Sequence, residues 1–327
     1  MNPFLLSILF LFLLGEKPLT ATSIENIFPE AFKPRIMVHP KNIYGVNGYE
    51  VEKFTEEPNR NHWDTRGGKE VSCLVMHYTV VNYADTMRLF TANLPDGRVS
   101  AHYVITEEER ENGVKAGVVT QIVPEEERAW HAGVSYWRGI ENLNAHSIGI
   151  ENVNKGFIKN KGQGQEWFPF DLDQVATLGQ ISAGIVKKYN IHPTNVVAHA
   201  DIIPTLREDP GVLFPWGELY TKYGVGAWLT PEERQISYVS KTYLPKEPFP
   251  QGISEAFFLK CLREYGYKCP EGASSITPEL RPIVKAFKAH FSHNQQPDHY
   301  TETLDETAML WAWGLDAKYP QGKKSIK

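Results

Sequence analysis

Cysteine is scarce in this chain. There are three in 327 residues, and no pair has the close spacing that cysteine-based zinc sites use. Cys73 lies inside "VSCLVM" and reads as a small buried hydrophobe. Cys261 and Cys269 flank "LREYGYK". An oxidising compartment could join them if a helix end brings them into register, so their pairing stays open. Positive charge is not in excess either: 34 Lys and Arg against 39 Asp and Glu give a net charge of −5. That excludes the basic footprint of a nucleic-acid-binding protein. The chain also lacks a Gly-rich phosphate loop, an internal repeat and a low-complexity tract. Its longest apolar run, "PFLLSILFLFLLG" from Pro3 to Gly15, is too short to span a bilayer and suits the apolar region of an export signal. Residues 1–23 are therefore expected to be a signal peptide and the chain to be periplasmic or secreted, with an uncleaved anchor as the alternative. No cysteine follows the run to accept a lipid.

What the chain does have is a change of texture. Residues 24–70 are polar and rich in Pro, Gly and Asn, and read as an extended arm. From Val71 onward, short apolar runs predict five strands: "VSCLVMH", "AHYVIT", "GVVTQIV", "SIGIENV" and "NVVAHA". Helices are expected at residues 83–92 and 172–189. The second carries Leu172, Val175, Leu178, Ile181, Ile185 and Tyr189 at helical spacing, with Asp171 and Gln174 as a capping box and Asn190 as the stop. Strands interleaved with helices indicate an α/β domain over 71–229. Residues 230–252, with four prolines, read as a linker. Three helices over 253–327 then form a small all-α module, and its aromatics Tyr265, Tyr267, Phe287, Phe291, Trp311 and Trp313 read as core.

The chemistry lies in where three strands end. "CLVMH" ends on His77, "SIGIE" on Glu151 and "NVVAH" on His199, and Asp209 follows ten positions later in "EDPG". Two imidazoles and a carboxylate can hold zinc and leave the fourth position open for water. Glu151 is then left over as a candidate general base. No local motif such as H-E-x-x-H certifies a metal. Each residue also has a plain alternative: His77 closing a strand, Glu151 pairing with Arg138, Asp209 shaping a turn.

The segments "HYTV", "AWHAG", "SIGIEN", "NVVAHADI" and "EDPGVLFPW" occur in an order that resembles the zinc-dependent N-acetylmuramoyl-L-alanine amidases of the AmpD and peptidoglycan-recognition type, AmiD-like members above all. The resemblance covers about residues 71–229 and, more weakly, the C-terminal helices. It implies a mixed central sheet flanked by helices, and one zinc per chain held by His77, His199 and Asp209, with Glu151 as the catalytic acid–base. His131 falls at a groove-lining position, Trp130 beside it could pack against the substrate or against the sheet, and the partner would be peptidoglycan or its muropeptides. AmiD-like enzymes carry a lysine eight residues after the second zinc histidine. Arg207 stands there in this chain and could stabilise an oxyanion but not give up a proton. The alternative is a recognition protein that binds peptidoglycan without cleaving it. His102 is expected to be a structural residue and His146 to lie at the surface or in a loop.

Overall fold

The computed structural model describes residues 39–43, 46–50, 63–91, 99–110, 113–160, 164–292 and 300–320. The expected signal peptide lies outside them. Among the described residues, no helix is long and apolar enough to cross a membrane. Chain contacts divide the protein into two compact units. The first comprises residues 1–131, 144–156 and 168–189; the second comprises 132–143, 157–167 and 190–327.

The first unit is built on a mixed sheet. Its strands are β1 (His39–Ile43), β2 (Val46–Glu50), β3 (Cys73–Tyr78), β4 (Tyr103–Ile105), β5 (Val119–Gln121) and β6 (Ser147–Asn152). They lie in the order β1-β2-β5-β4-β6-β3. β6 runs parallel to both its neighbours, β3 and β4, while β4–β5 and β1–β2 are antiparallel. The central strands read as continuous apolar runs because they are buried on both faces. Two strands come from the stretch expected to be an extended arm. "HPKNI" and "VNGYE" have no apolar alternation, so they join the sheet through backbone pairing that hydropathy does not register.

Two helices pack in this unit, α1 (Tyr83–Thr91) and α2 (Leu172–Tyr189). α2 keeps the predicted bounds and buries Val175, Leu178, Ile181 and Ile185. Each is worth roughly 1.5–3 kcal/mol over the exposed state. Asn190 ends it with φ of 51°, a left-handed turn that Asn tolerates. The predicted start differs. Leu172 is 83% exposed, and the buried Gln174 donates through Nε2 to the carbonyls of Ile105 and Val153. Its Oε1 accepts nothing, so it closes no capping box. Asp171 instead accepts the backbone N–H of Glu108.

In the second unit a short strand, β7 (Val196–Ala198), leads into α3 (His199–Ile202) and then α4 (Trp216–Tyr223). Residues 230–252, expected to be a linker, contain a helix, α5 (Ile236–Thr242), with Val239 fully buried. Then come α6 (Glu255–Tyr265), α7 (Arg281–Phe287), which continues as the π-helical turn Lys288–Ser292, and α8 (Glu306–Lys318). Ser254 and Asp305 cap α6 and α8, accepting the N–H of Phe257 and Ala308. All six aromatics assigned to this region's core are buried. Cys261 and Cys269 are buried free thiols.

Candidate active site

The parallel pairing of β6 with β3 sets Glu151 directly opposite His77. Paired residues on adjacent strands point to the same face and sit roughly 4.8 Å apart, so the register alone brings this carboxylate and imidazole together. Both are buried, and Asn152 Nδ2 donates to the His77 carbonyl at 3.0 Å, tying the two strand ends.

A column of polar side chains stands behind His77. Its Nε2 lies 3.0 Å from His131 Nδ1, and His131 Nε2 lies 3.1 Å from Ser147 Oγ. The His131 ring rests against Gly149, where a Cβ would come within 2.5 Å of it. His102 is structural as expected. Its Nδ1 accepts the Gly149 N–H, and its Nε2 faces Arg66 Nη2 at 2.7 Å. Burial, and then the nearby Arg66 charge, hold His102 well below its usual pKa, so it stays neutral and Nδ1 can accept while Nε2–H faces the Glu127 carbonyl at 3.2 Å. Arg66 is itself buried and donates to the carbonyls of Glu125, Asn144, Ala145 and Ser147. His146 ends a 3₁₀ turn, its pKa lowered mainly by burial. Trp130 is half-buried, its Nε1–H donating to Asp64 at 3.1 Å.

His199 and Asp209 come from one loop. His199 opens α3 immediately after β7, and its Nδ1 lies 3.0 Å from Asp209 Oδ2. The Ala200 N–H donates to the Asp209 carbonyl, closing the loop through its own backbone. Gly211 follows with φ of 83°, a conformation that disfavours any other residue. Arg207 is exposed, and the neighbouring Glu208 is taken by Lys285 at 2.6 Å. Arg138, the other candidate partner for Glu151, donates instead to Thr194 Oγ1 and the Tyr265 carbonyl.

His77, His199 and Asp209 are each of a type that could ligate a metal ion. The donor set fits zinc, which takes imidazole nitrogen and carboxylate oxygen and, in catalytic sites, three protein ligands.

Residues 67–212 match the Amidase_2 family, N-acetylmuramoyl-L-alanine amidase. The N-acetylmuramoyl-L-alanine amidase AmiD of Escherichia coli K12 is 38% identical over 251 residues, covering 75% of this chain and 84% of AmiD. This chain belongs to the N-acetylmuramoyl-L-alanine amidase family. Among solved structures, the complex of E. coli AmiD with the substrate anhydro-N-acetylmuramic acid-L-Ala-D-γ-Glu-L-Lys superposes with a TM-score of 0.62 at 33% identity, covering 83% of this chain and 95% of that one. AmpDh3 from Pseudomonas aeruginosa in complex with anhydromuramic pentapeptide gives 0.62 at 32% identity, covering 82% and 97%. The chain is accordingly an amidase, not a recognition protein that has lost catalysis. Enzymes of this family are zinc-dependent in general.

Two features near these residues escape sequence reasoning. "AWHAG" marks His131, but nothing in it shows the ring standing behind His77. Asp201, two residues past His199, looks like a solvated acid in "AHADI", yet its carboxylate is fully buried. The one available signal was its position in an otherwise apolar run.

Proposed function

We propose that the amidase hydrolyses the amide bond between the lactyl group of N-acetylmuramic acid, or its anhydro form, and the L-alanine of the peptidoglycan stem peptide, as an exported zinc enzyme. The observation that carries the reading is the placement of Glu151 opposite His77 in register on β6 and β3. That leaves an unligating carboxylate beside a metal ligand, where a general base belongs. One zinc, held by His77, His199 and Asp209, would supply polarisation of the carbonyl and a lowered pKa for the attacking water.

The chain's own groups do the rest. His77, with Nε2 toward His131, would present Nδ1 to the metal. A neutral His77 donates through Nε2–H to His131 Nδ1, and His131 then donates to Ser147 Oγ, which fixes the tautomer. His131 acts first on His77, and Trp130 is the better candidate for contact with substrate. Glu151 takes a proton from water as the water oxygen bonds to the carbonyl carbon. As the C–N bond breaks, the same proton passes to the alanine nitrogen, leaving a muramic acid carboxylate and a free stem-peptide amine. Arg207 stabilises the oxyanion electrostatically through its guanidinium. Glu208, its nearest rival for pairing, is already engaged by Lys285.

Mass spectrometry of products from purified muropeptides and from whole sacculi tests this reading. Free stem peptide should appear, and chelation should abolish it. Cleavage elsewhere in the peptide, or full activity in chelator, would overturn it.

A further inference from the structure

Asp201 is buried completely, and burying a carboxylate is costly unless donors replace its water. Three donors do. The Ala198 N–H reaches Oδ2 at 2.8 Å, Tyr267 Oη reaches Oδ1 at 2.5 Å, and His290 Nδ1 lies 2.7 Å from Oδ2. Only the first is local. Tyr267 follows α6, and His290 sits in the π-helical turn after α7. Burial, and then the Asp201 charge, push the Tyr267 phenol well above its usual pKa, so it remains a donor. The His290 ring is stacked on Trp216 of α4 at 3.7 Å and 23°, which fixes its orientation.

These contacts bracket the metal-ligand loop. His199 lies between Ala198, whose N–H is held by Asp201, and Ala200, whose N–H is held by the Asp209 carbonyl. At the other end, Glu208 stands next to Asp209 and pairs with Lys285 of α7. All of these residues belong to the second unit. A zinc–nitrogen bond of about 2.0–2.1 Å leaves little room for a ligand to wander. The loop has no sheet register to hold it once β7 has ended.

We propose that Tyr267 and His290 are positioning residues for the metal centre: by fixing the buried Asp201 carboxylate, they hold the His199–Asp209 loop in its ligating form. The C-terminal helices are thereby part of the amidase's zinc site, whatever else they bind. The inference rests on the zinc reading above.

The test uses the full chain. Zinc affinity is measured by competition with a chromophoric chelator, and the cobalt-substituted protein supplies a visible spectrum of the ligand field. Tyr267→Phe, which removes one hydroxyl, and His290→Gln should each weaken zinc binding by about tenfold or more, the scale of outer-shell losses. Each should also alter the cobalt spectrum. Trp313→Phe is the control. Its Nε1–H donates to the Glu247 carbonyl in the same unit, away from Asp201, and the variant should melt lower while keeping parental zinc affinity and spectrum. If His290→Gln fails to fold, Tyr267→Phe decides. Parental affinity and spectrum in Tyr267→Phe would overturn the inference, and so would an equal loss in Trp313→Phe. A parent chain that binds no zinc would instead overturn the zinc reading.

Discussion

His77 and Glu151 are placed by a ladder of backbone hydrogen bonds, whereas His199 and Asp209 are placed by side chains from elsewhere in the chain. In the first case adjacent parallel strands decide the geometry, and a slip of one residue would turn every side chain to the opposite face. In the second, a loop of irregular backbone is fastened at Asp201 and Glu208 by Tyr267, His290 and Lys285. The comparison teaches that two kinds of precision can place polar side chains in one protein. Register is rigid and local to the sheet. Side-chain fastening depends on buried polar groups being satisfied together.

Removing a ligand should have the largest effect and should not distinguish the two halves. His199→Ala is expected to stay folded while zinc content falls from one per chain toward none; full occupancy by atomic absorption would sink the ligand assignment. Next comes the base. Glu151→Gln should keep zinc and substrate binding yet lose at least about a hundredfold in turnover, the scale of a positioned acid–base. Near-normal steady-state rates would mean that another group moves the proton. Arg207→Ala should cost roughly a hundredfold in kcat, as removal of one oxyanion donor does, with zinc unchanged. Arg207→Lys should retain most activity because the charge survives. An alanine variant with unaltered kcat would remove arginine from the mechanism.

Smaller effects sharpen the contrast between the halves. Gly149→Ala would drive a methyl into the His131 ring behind His77. About 1–3 kcal/mol of stability should be lost by denaturant titration, the usual scale of overpacking. A neutral result would show the strand-borne half to be more yielding than its register suggests. The smallest effect belongs to the second unit. Burial, and then the charge of Glu264, raise the Asp316 carboxyl from 3.8 to about 6. A folded-state pKa above the unfolded value favours folding at low pH, and that contribution is lost as pH rises from about 4 through 6. Asp316→Asn should therefore flatten the melting temperature against pH across that window, and an unchanged profile would count against the shift.

Legibility followed the same division. The bounds of α2, the runs that became β3 and β6, and the apolar patterning that buries His77 and Glu151 follow from periodicity and burial, which are local properties. β1 and β2 escaped because paired backbone leaves no mark on hydropathy. α5 was hidden among prolines in a stretch that reads as connection. The Asp171 and Gln174 pair fits the capping-box spacing, yet tertiary partners claimed both side chains. His131 and Asp201 were visible as residues but not as contacts. Their roles depend on partners 54 and 89 positions away, and no window of sequence joins such positions. The ligand set itself came from family resemblance more than from spacing.

The two C-terminal thiols carry a separate implication. Cys261 and Cys269 are buried free thiols, and burial raises the Cys261 thiol far above its usual range and the Cys269 thiol to about 12. Oxidants and alkylating agents act on thiolates, of which Cys261 and Cys269 supply almost none at neutral pH. Both are thereby slow targets for such reagents, and distant segments are fastened by hydrogen bonds such as those of Arg66 and Asp201.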